Sequence, residues 1–308
     1  MKHASGPMRS QWSRDRRLVN RLALAGSLAA LSLVATAPSA GAAVTVGQLP
    51  AGQPLSPNCA SPVDRLQPLV VSGTSYVSPT NGTITSWSTL AGPEAGGQIK
   101  LKVFRPISGL TYQAVAQDVP RLLVPSTLNT FQTTNIQIQK GDLVGLNSFV
   151  SINRCGFVVP GDSYLRNPPA PATGGDLANG QSAAFTFTGN VGNRRLNIQA
   201  QVEPTNTLTY GKVRFNKKKG FAILPVNVPN DGELTFGGKK VKVASSGATV
   251  ARTIRQADTI NVRINAKGKK RKKLLSKGKV AVKPLFRFTP TGGTLSTQAR
   301  KLTLRKKL

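Results

Sequence analysis

Apolar and polar residues alternate with a period of two along most of the chain beyond residue 43. In QIKLKVFRP, Ile99, Leu101 and Val103 fall on one side and Gln98, Lys100 and Lys102 on the other; Leu196, Ile198, Ala200 and Val202 repeat the pattern. That period belongs to β-strands, whose side chains point alternately to opposite faces. It predicts strands at TITSW, QIKLKVFRP, TYQAVAQ, FQTTNIQIQ, DLVGLN, CGFVVP, AAFTFTG and RRLNIQAQVE, punctuated by the turn clusters PTNG, AGPEAGG and QKGD. Strands with one wet face imply antiparallel sheets. Eight short strands in about 150 residues predict a jelly-roll-like sandwich over residues 43–204.

After VEPTNTL, where Pro204 marks a boundary, the alternation resumes in TYGKVRF, FAILPVNV, GELTF, KKVKVA, ATVARTI, TINVRI, KVAVKPLFRF and QARKLTLR. Ala222, Leu224, Val226, Val228, Ile260, Val262, Ile264, Val280, Val282, Phe286 and Phe288 are its expected core. Pro225 lacks the N–H a ladder needs, which predicts an edge strand or a bulge. Seven or eight strands in about 100 residues predict an immunoglobulin-like sandwich over 205–308. The chain thus reads as all-β, two β-sandwich domains in series.

Residues 1–42 break the pattern. Lys2, Arg9, Arg14, Arg16, Arg17 and Arg21 precede an apolar stretch from Leu22 to Ala37, then the small residues Ala40 and Ala42. This is the layout of a secretory signal peptide, with Ala43 the expected first residue after cleavage. The stretch is short for a membrane span, and no later segment resembles one. Arg16-Arg17 is followed by Val19 and Asn20, so the export route stays open.

Charge divides the remainder. Residues 43–204 hold 10 basic and 7 acidic residues; residues 205–308 hold 26 basic and 3 acidic residues. The step supports two domains with different surroundings. Eight Lys or Arg fall within the sixteen residues of NAKGKKRKKLLSKGKV: Lys267, Lys269, Lys270, Arg271, Lys272, Lys273, Lys277 and Lys279. With Gly268 and Gly278 bracketing the run and no apolar stripe through it, it is expected to form a long cationic turn. Lys217, Lys218 and Lys219 make a second such turn, and Arg305, Lys306 and Lys307 a third cluster. Clusters sharing one end of the sandwich would sum to a strong positive field.

Chemistry is constrained by what is missing. His3, the only histidine, leaves with the signal, which removes Ser-His-Asp, Cys-His and imidazole–zinc arrangements. Ser276-Lys277-Gly278-Lys279 matches S-x-x-K by chance, in a charged turn without partner motifs. No catalytic residue, metal site or cofactor is expected. Cys59 and Cys155, an even pair in an exported chain, are expected to form a disulfide. It would close a loop of roughly a hundred residues and restrain the unfolded chain by ~4–5 kcal/mol.

The segment Pro160–Ser182 has no apolar period, and loops of that length are commonly functional. Asp162 and Asp176 flank it, placed to face one ligand or a calcium ion, and Tyr164 is its candidate for exposed contact. Trp87, Tyr76 and Tyr112 complete a candidate stacking platform for sugar rings, with core packing the commoner role of a lone Trp. Asn81-Gly82-Thr83 fits a glycosylation sequon, although an Asn-Gly hairpin turn explains it more simply.

KKLLSKGKVAVKPLFRFTPTGGTLSTQARKLTL resembles the last third of bacterial Ig-like domains of secreted actinobacterial proteins. GKVRFNKKKGFAILPVNVPNDGELTF resembles their opening strands. NGTITSWSTLAGPEAGGQIKLKVFRP and IQIQKGDLVGL are similar to jelly-roll modules paired with such domains. The resemblance implies an extracellular structural or binding role with no catalytic motif. The expected partner is an anionic cell-wall polymer or acidic polysaccharide. Specific nucleic-acid reading is not expected, because no recognition helix or interleaved stacking aromatics occur. The competing expectation is a carbohydrate-binding or carbohydrate-active module acting through the 160–182 loop.

Overall fold

The computed structural model describes residues 43–56, 62–94, 96–151, 153–167, 175–187, 192–245 and 251–308. The expected signal segment, Cys59 of the expected disulfide and residues 168–174 of the long loop lie outside them. The protein is all-β, with one short helix, Lys269–Lys277, among the described residues.

Residues 44–204 build a two-stranded sheet of Gly156–Val158 and Arg194–Leu196 and two packed sheets. The smaller runs Val44–Gln48, Ile198–Pro204, Gly82–Leu90, Leu128–Ile138; the larger runs Ser182–Ala184, Thr111–Gln117, Gln98–Ser108, Leu143–Ser148, Val63–Leu66, Leu165–Arg166, Thr186–Phe187. The pairings are antiparallel. Ile84, Trp87, Ile136, Ala200 and Val202 from the smaller sheet meet Ile99, Leu101, Val103, Val144 and Leu146 from the larger, and Cys155 is buried with them.

The expectation of a wet second face fails at the centre of the larger sheet. Lys100 and Lys102 are buried there, beside a second core of Leu66, Phe104, Tyr112, Ala114, Leu143, Leu165, Leu177 and Phe185. Phe185 packs edge-on against Phe104 and Tyr112, at ring separations of 5.4 and 5.5 Å. The segment after Gly175 therefore covers the face that the alternation assigned to water.

Residues 209–305 form their own sheets. One runs Thr209–Tyr210, Phe221–Val228, Asp258–Ala266, Val241–Ser245, and the other Ala251–Ile254, Gly232–Gly237, Leu285–Pro290, Ser296–Ala299; Lys279–Val282 pairs with Leu302–Arg305. Every residue expected in this core is buried. Pro225 is neither on an edge nor in a bulge of its own strand. It lies where one flanking partner ends and another begins: Tyr210 pairs with Val226 and Arg214 with Ile223. The interruption falls where the proline ring leaves no donor.

The two halves belong to one compact unit. Asn81 clasps them: its backbone N–H donates to Asn230 Oδ1 at 2.8 Å and its Nδ2 to the Pro229 carbonyl at 2.7 Å, while Asn230 Nδ2 donates back to the Asn81 carbonyl at 2.9 Å. Thr294 Oγ1 adds a bond to Glu203 at 3.0 Å. Asn81 is thus no hairpin turn, since Gly82 pairs at once with Ile138 and Pro204. Its amide nitrogen is engaged rather than free for a glycan.

Candidate functional site

The basic run folds as a helix, which corrects the expectation of a turn. Lys, Arg and Leu are strong helix formers and no β-branched residue interrupts Lys269–Lys277. Gly268, with a positive φ of 59°, opens the helix and Gly278, left-handed at φ 64°, ends it, its N–H closing on the Leu274 carbonyl at 3.1 Å. Leu274 is the one buried residue of the helix. It joins the core of the second half beside Gly220, where an added Cβ would sit 3.1 Å from its side chain. Two adjacent leucines, of which one is buried, leave too little apolar periodicity to reveal a helix.

Electrostatics oppose this helix. Its first turn holds no acidic residue, so Lys269, Lys270 and Arg271 face the positive end of the helix dipole. Like-charged pairs such as Lys269 and Lys273, four residues apart, each cost about 0.2–0.5 kcal/mol. A bound anion would relieve both penalties.

The three basic clusters meet at one end of the second half. The backbone N–H of Lys306 donates to the Gly278 carbonyl at 2.7 Å and that of Lys307 to the Lys217 carbonyl at 2.9 Å, which ties the chain end to the helix C-terminus and to the KKK turn. A groove of about 1030 Å³ opens there, with Lys218, Lys219, Lys267, Arg271 and Lys306 on its walls. A neighbouring recess of about 640 Å³ takes Lys217, Lys277, Lys279, Arg305 and Lys307. Lys269, Lys272 and Lys273 stand exposed on the helix. Lys270 is half-buried, its Nζ 2.8 Å from the Ala281 carbonyl. Lys242 and Arg263 also line the groove. They alternate with the buried Val243, Val262 and Ile264, and no sequence cue joined them to the helix.

None of these groove and recess cations pairs with a carboxylate among the described residues; the one ion pair of the second half joins Arg252 to Asp258 at 3.7 Å. The lining is partly apolar, with the exposed Leu275 and the edge of the buried Phe236, and the Arg263 guanidinium lies 3.9 Å from the centre of the Phe221 ring. The arrangement can hold a flexible anionic polymer by charge while its spacers rest on apolar surface.

The loop candidates do not come together. Asp162 is buried against Arg195 and accepts the Val71 N–H at 2.8 Å. Tyr164 is buried in the first core, bonded to Arg65. Asp176 holds Lys100 at 2.8 Å and Lys102 at 3.0 Å. Trp87 is fully buried, its indole N–H donating to Asp118 at 2.8 Å, and Tyr76 and Tyr112 are buried too. Each acid answers an internal cation and each ring fills core, so the exposed-contact role expected for Tyr164 and the shared ligand of Asp162 and Asp176 are corrected.

What the sequence did not reveal is a buried polar cluster on the second face of the larger sheet. Lys102 Nζ donates to both Asp64 oxygens at 2.9 and 2.8 Å, to Asp176 and to the Leu177 carbonyl. Asp64 also accepts from Asn147 Nδ2 at 2.7 Å and from the Leu177 N–H at 2.9 Å. Burial raises the Asp64 carboxyl above its ordinary range and outweighs the attraction of Lys102. For Asp176 burial also pushes upward, but the hydrogen bonds and charges of Lys100 and Lys102 prevail and hold it below that range.

Fold and site together define an all-β protein with one strongly cationic end. No protein-family model and no curated protein matches the chain.

Proposed function

We propose that the chain is an exported, non-catalytic binding protein whose second half holds it to an anionic polymer of the cell envelope, a phosphodiester wall polymer or an acidic polysaccharide. The signal-like layout of residues 1–42 supports export. The observation that carries the reading is the convergence of three basic clusters on one groove without internal counter-charge. The cations act as point charges, important together and replaceable singly. The first half, with a Cys59–Cys155 disulfide, is the part presented or anchored.

The competing sugar-site reading loses its support, because Trp87, Asp162 and Tyr164 are buried and Asp176 answers two lysines. The test is retention of the mature chain on isolated envelopes, acidic polysaccharide and DNA at rising salt, beside a variant with Lys218, Lys219, Arg271 and Lys306 changed to Gln. Retention that salt releases and the variant lacks supports the tether. Equal retention of both chains, or salt-resistant retention on neutral sugar, contradicts it.

A further inference from the structure

On the buried second face of the larger sheet, three neighbouring strands bring together an amine, a carboxylate and a carboxamide. Lys102 lies on Gln98–Ser108, Asn147 on the adjoining Leu143–Ser148 and Asp64 on Val63–Leu66 beyond it. All three are fully buried. Asp64 is directly across from Asn147, and Gly145 is directly across from Lys102. With no side chain at Gly145, the lysine can lean over the middle strand to the aspartate. One oxygen, Asp64 Oδ1, accepts from Lys102 Nζ at 2.9 Å and from Asn147 Nδ2 at 2.7 Å. Amine and carboxamide therefore hang from the same carboxylate. Asn147 Oδ1, although buried, has no hydrogen-bond partner among the described residues, and the Phe104 ring lies 5.7 Å from the amine.

We propose that these three residues form an intramolecular isopeptide bond between Lys102 Nζ and Asn147 Cγ, with Asp64 relaying the protons. The Nζ ammonium gives one proton to Asp64, and the freed amine attacks Cγ. A new C–N bond forms, and the carbonyl electrons that move onto Oδ1 return as the Cγ–Nδ2 bond breaks. A second Nζ proton passes through Asp64 to Nδ2, which departs as ammonia, leaving Asp64 protonated. Atoms and charge balance without any further reactant. Held groups of this kind gain the large effective concentration of an intramolecular reaction, and proton transfer between a buried amine and carboxylate removes two charges from a low-dielectric site. The upward displacement of the Asp64 carboxyl by burial suits a proton acceptor. Asp176 is the competing carboxyl, but a bond from the lysine to either aspartate would expel water rather than ammonia.

The experiment is intact mass measurement of the purified full chain, denatured and reduced, with proteolytic mapping. The expected result is a mass lower by one ammonia than the sequence from the measured N-terminus requires, and a branched peptide joining Lys102 to Asn147. Asn147→Asp, which keeps the side-chain size, is expected to lose one water in place of ammonia, at the same lysine. An unchanged wild-type mass, a wild-type loss of water, or a branch at Lys100 would overturn the proposal. Should a variant fail to fold, the wild-type map alone decides.

Discussion

Lys102 and Arg271 enter the fold with the same charge and lie in opposite regimes. Lys102 is sealed in the first half among two aspartates and a backbone carbonyl. Arg271 stands exposed beside a groove of like charges in the second. The contrast extends to both halves. In the first, Asp64, Glu94, Asp118, Asp142, Asp162 and Asp176 each contact a lysine or arginine. In the second, 3 acidic residues face 26 basic ones. Buried charge requires specific partners because desolvation must be offset, whereas exposed charge in water requires none. Charge in the first half is thus part of the fold, and charge in the second is exposed surface, which the proposed function assigns to an anionic polymer.

The sharpest way to break this contrast is Lys102→Met. It leaves Asp64 buried without the amine that neutralises it and also removes the proposed bond to Asn147, and a loss of at least about 3–5 kcal/mol is expected. Denaturant unfolding followed through the buried Trp87 reads it. A change below 1 kcal/mol, a bound set by the small worth of exposed pairs, would place the pair among them. Next comes Leu274→Ala, which removes the anchor of the basic helix, with an expected cost of about 2–4 kcal/mol. Circular dichroism and denaturant unfolding of the second half check it.

Acid separates the halves less strongly. Burial pushes the Asp118 carboxyl up, but hydrogen bonds from Arg121 and Trp87 hold it below its ordinary value of 3.8, and Asp176 is held low by Lys100 and Lys102. Both contributions are present above pH 3.8 and fade as pH falls through the lower folded values. The raised Asp64 runs the other way, its contribution present below pH 3.8 and lost as pH rises through its folded value. Trp87-monitored stability should therefore fall below pH 3.8, and Asp118→Asn should flatten that fall. The smallest effect belongs to Lys272→Gln, within about 0.5 kcal/mol of the parent because the side chain is exposed and unpaired. Parallel denaturation curves measure it.

The strands were largely legible, because Ile99, Leu101 and Val103, or Ile260, Val262 and Ile264, keep strict alternation against a single core. Val63–Leu66 was missed because Asp64 and Arg65 read as surface. The burial of Asp64 depends on Lys102, Asn147 and Leu177 and that of Arg65 on Tyr164, all distant in sequence and brought close only by the fold. For the same reason Lys100 and Lys102 were assigned to water. The positions of the basic clusters were legible in the sequence, and their convergence was not. It rests on Lys306 and Lys307 reaching Gly278 and Lys217, a long-range pairing that no local pattern encodes.

The most direct test of the contrast is the salt dependence of affinity for a phosphodiester polymer. Three chains are compared: the parent, the variant with Lys218, Lys219, Arg271 and Lys306 changed to Gln, and Lys140→Gln in the first half. Releasing counterions from a polyanion makes log affinity fall with log salt in proportion to the contacts made. The account predicts a steep slope for the parent, a clearly shallower one for the groove variant and no change for Lys140→Gln. Equal slopes for all three chains would contradict it.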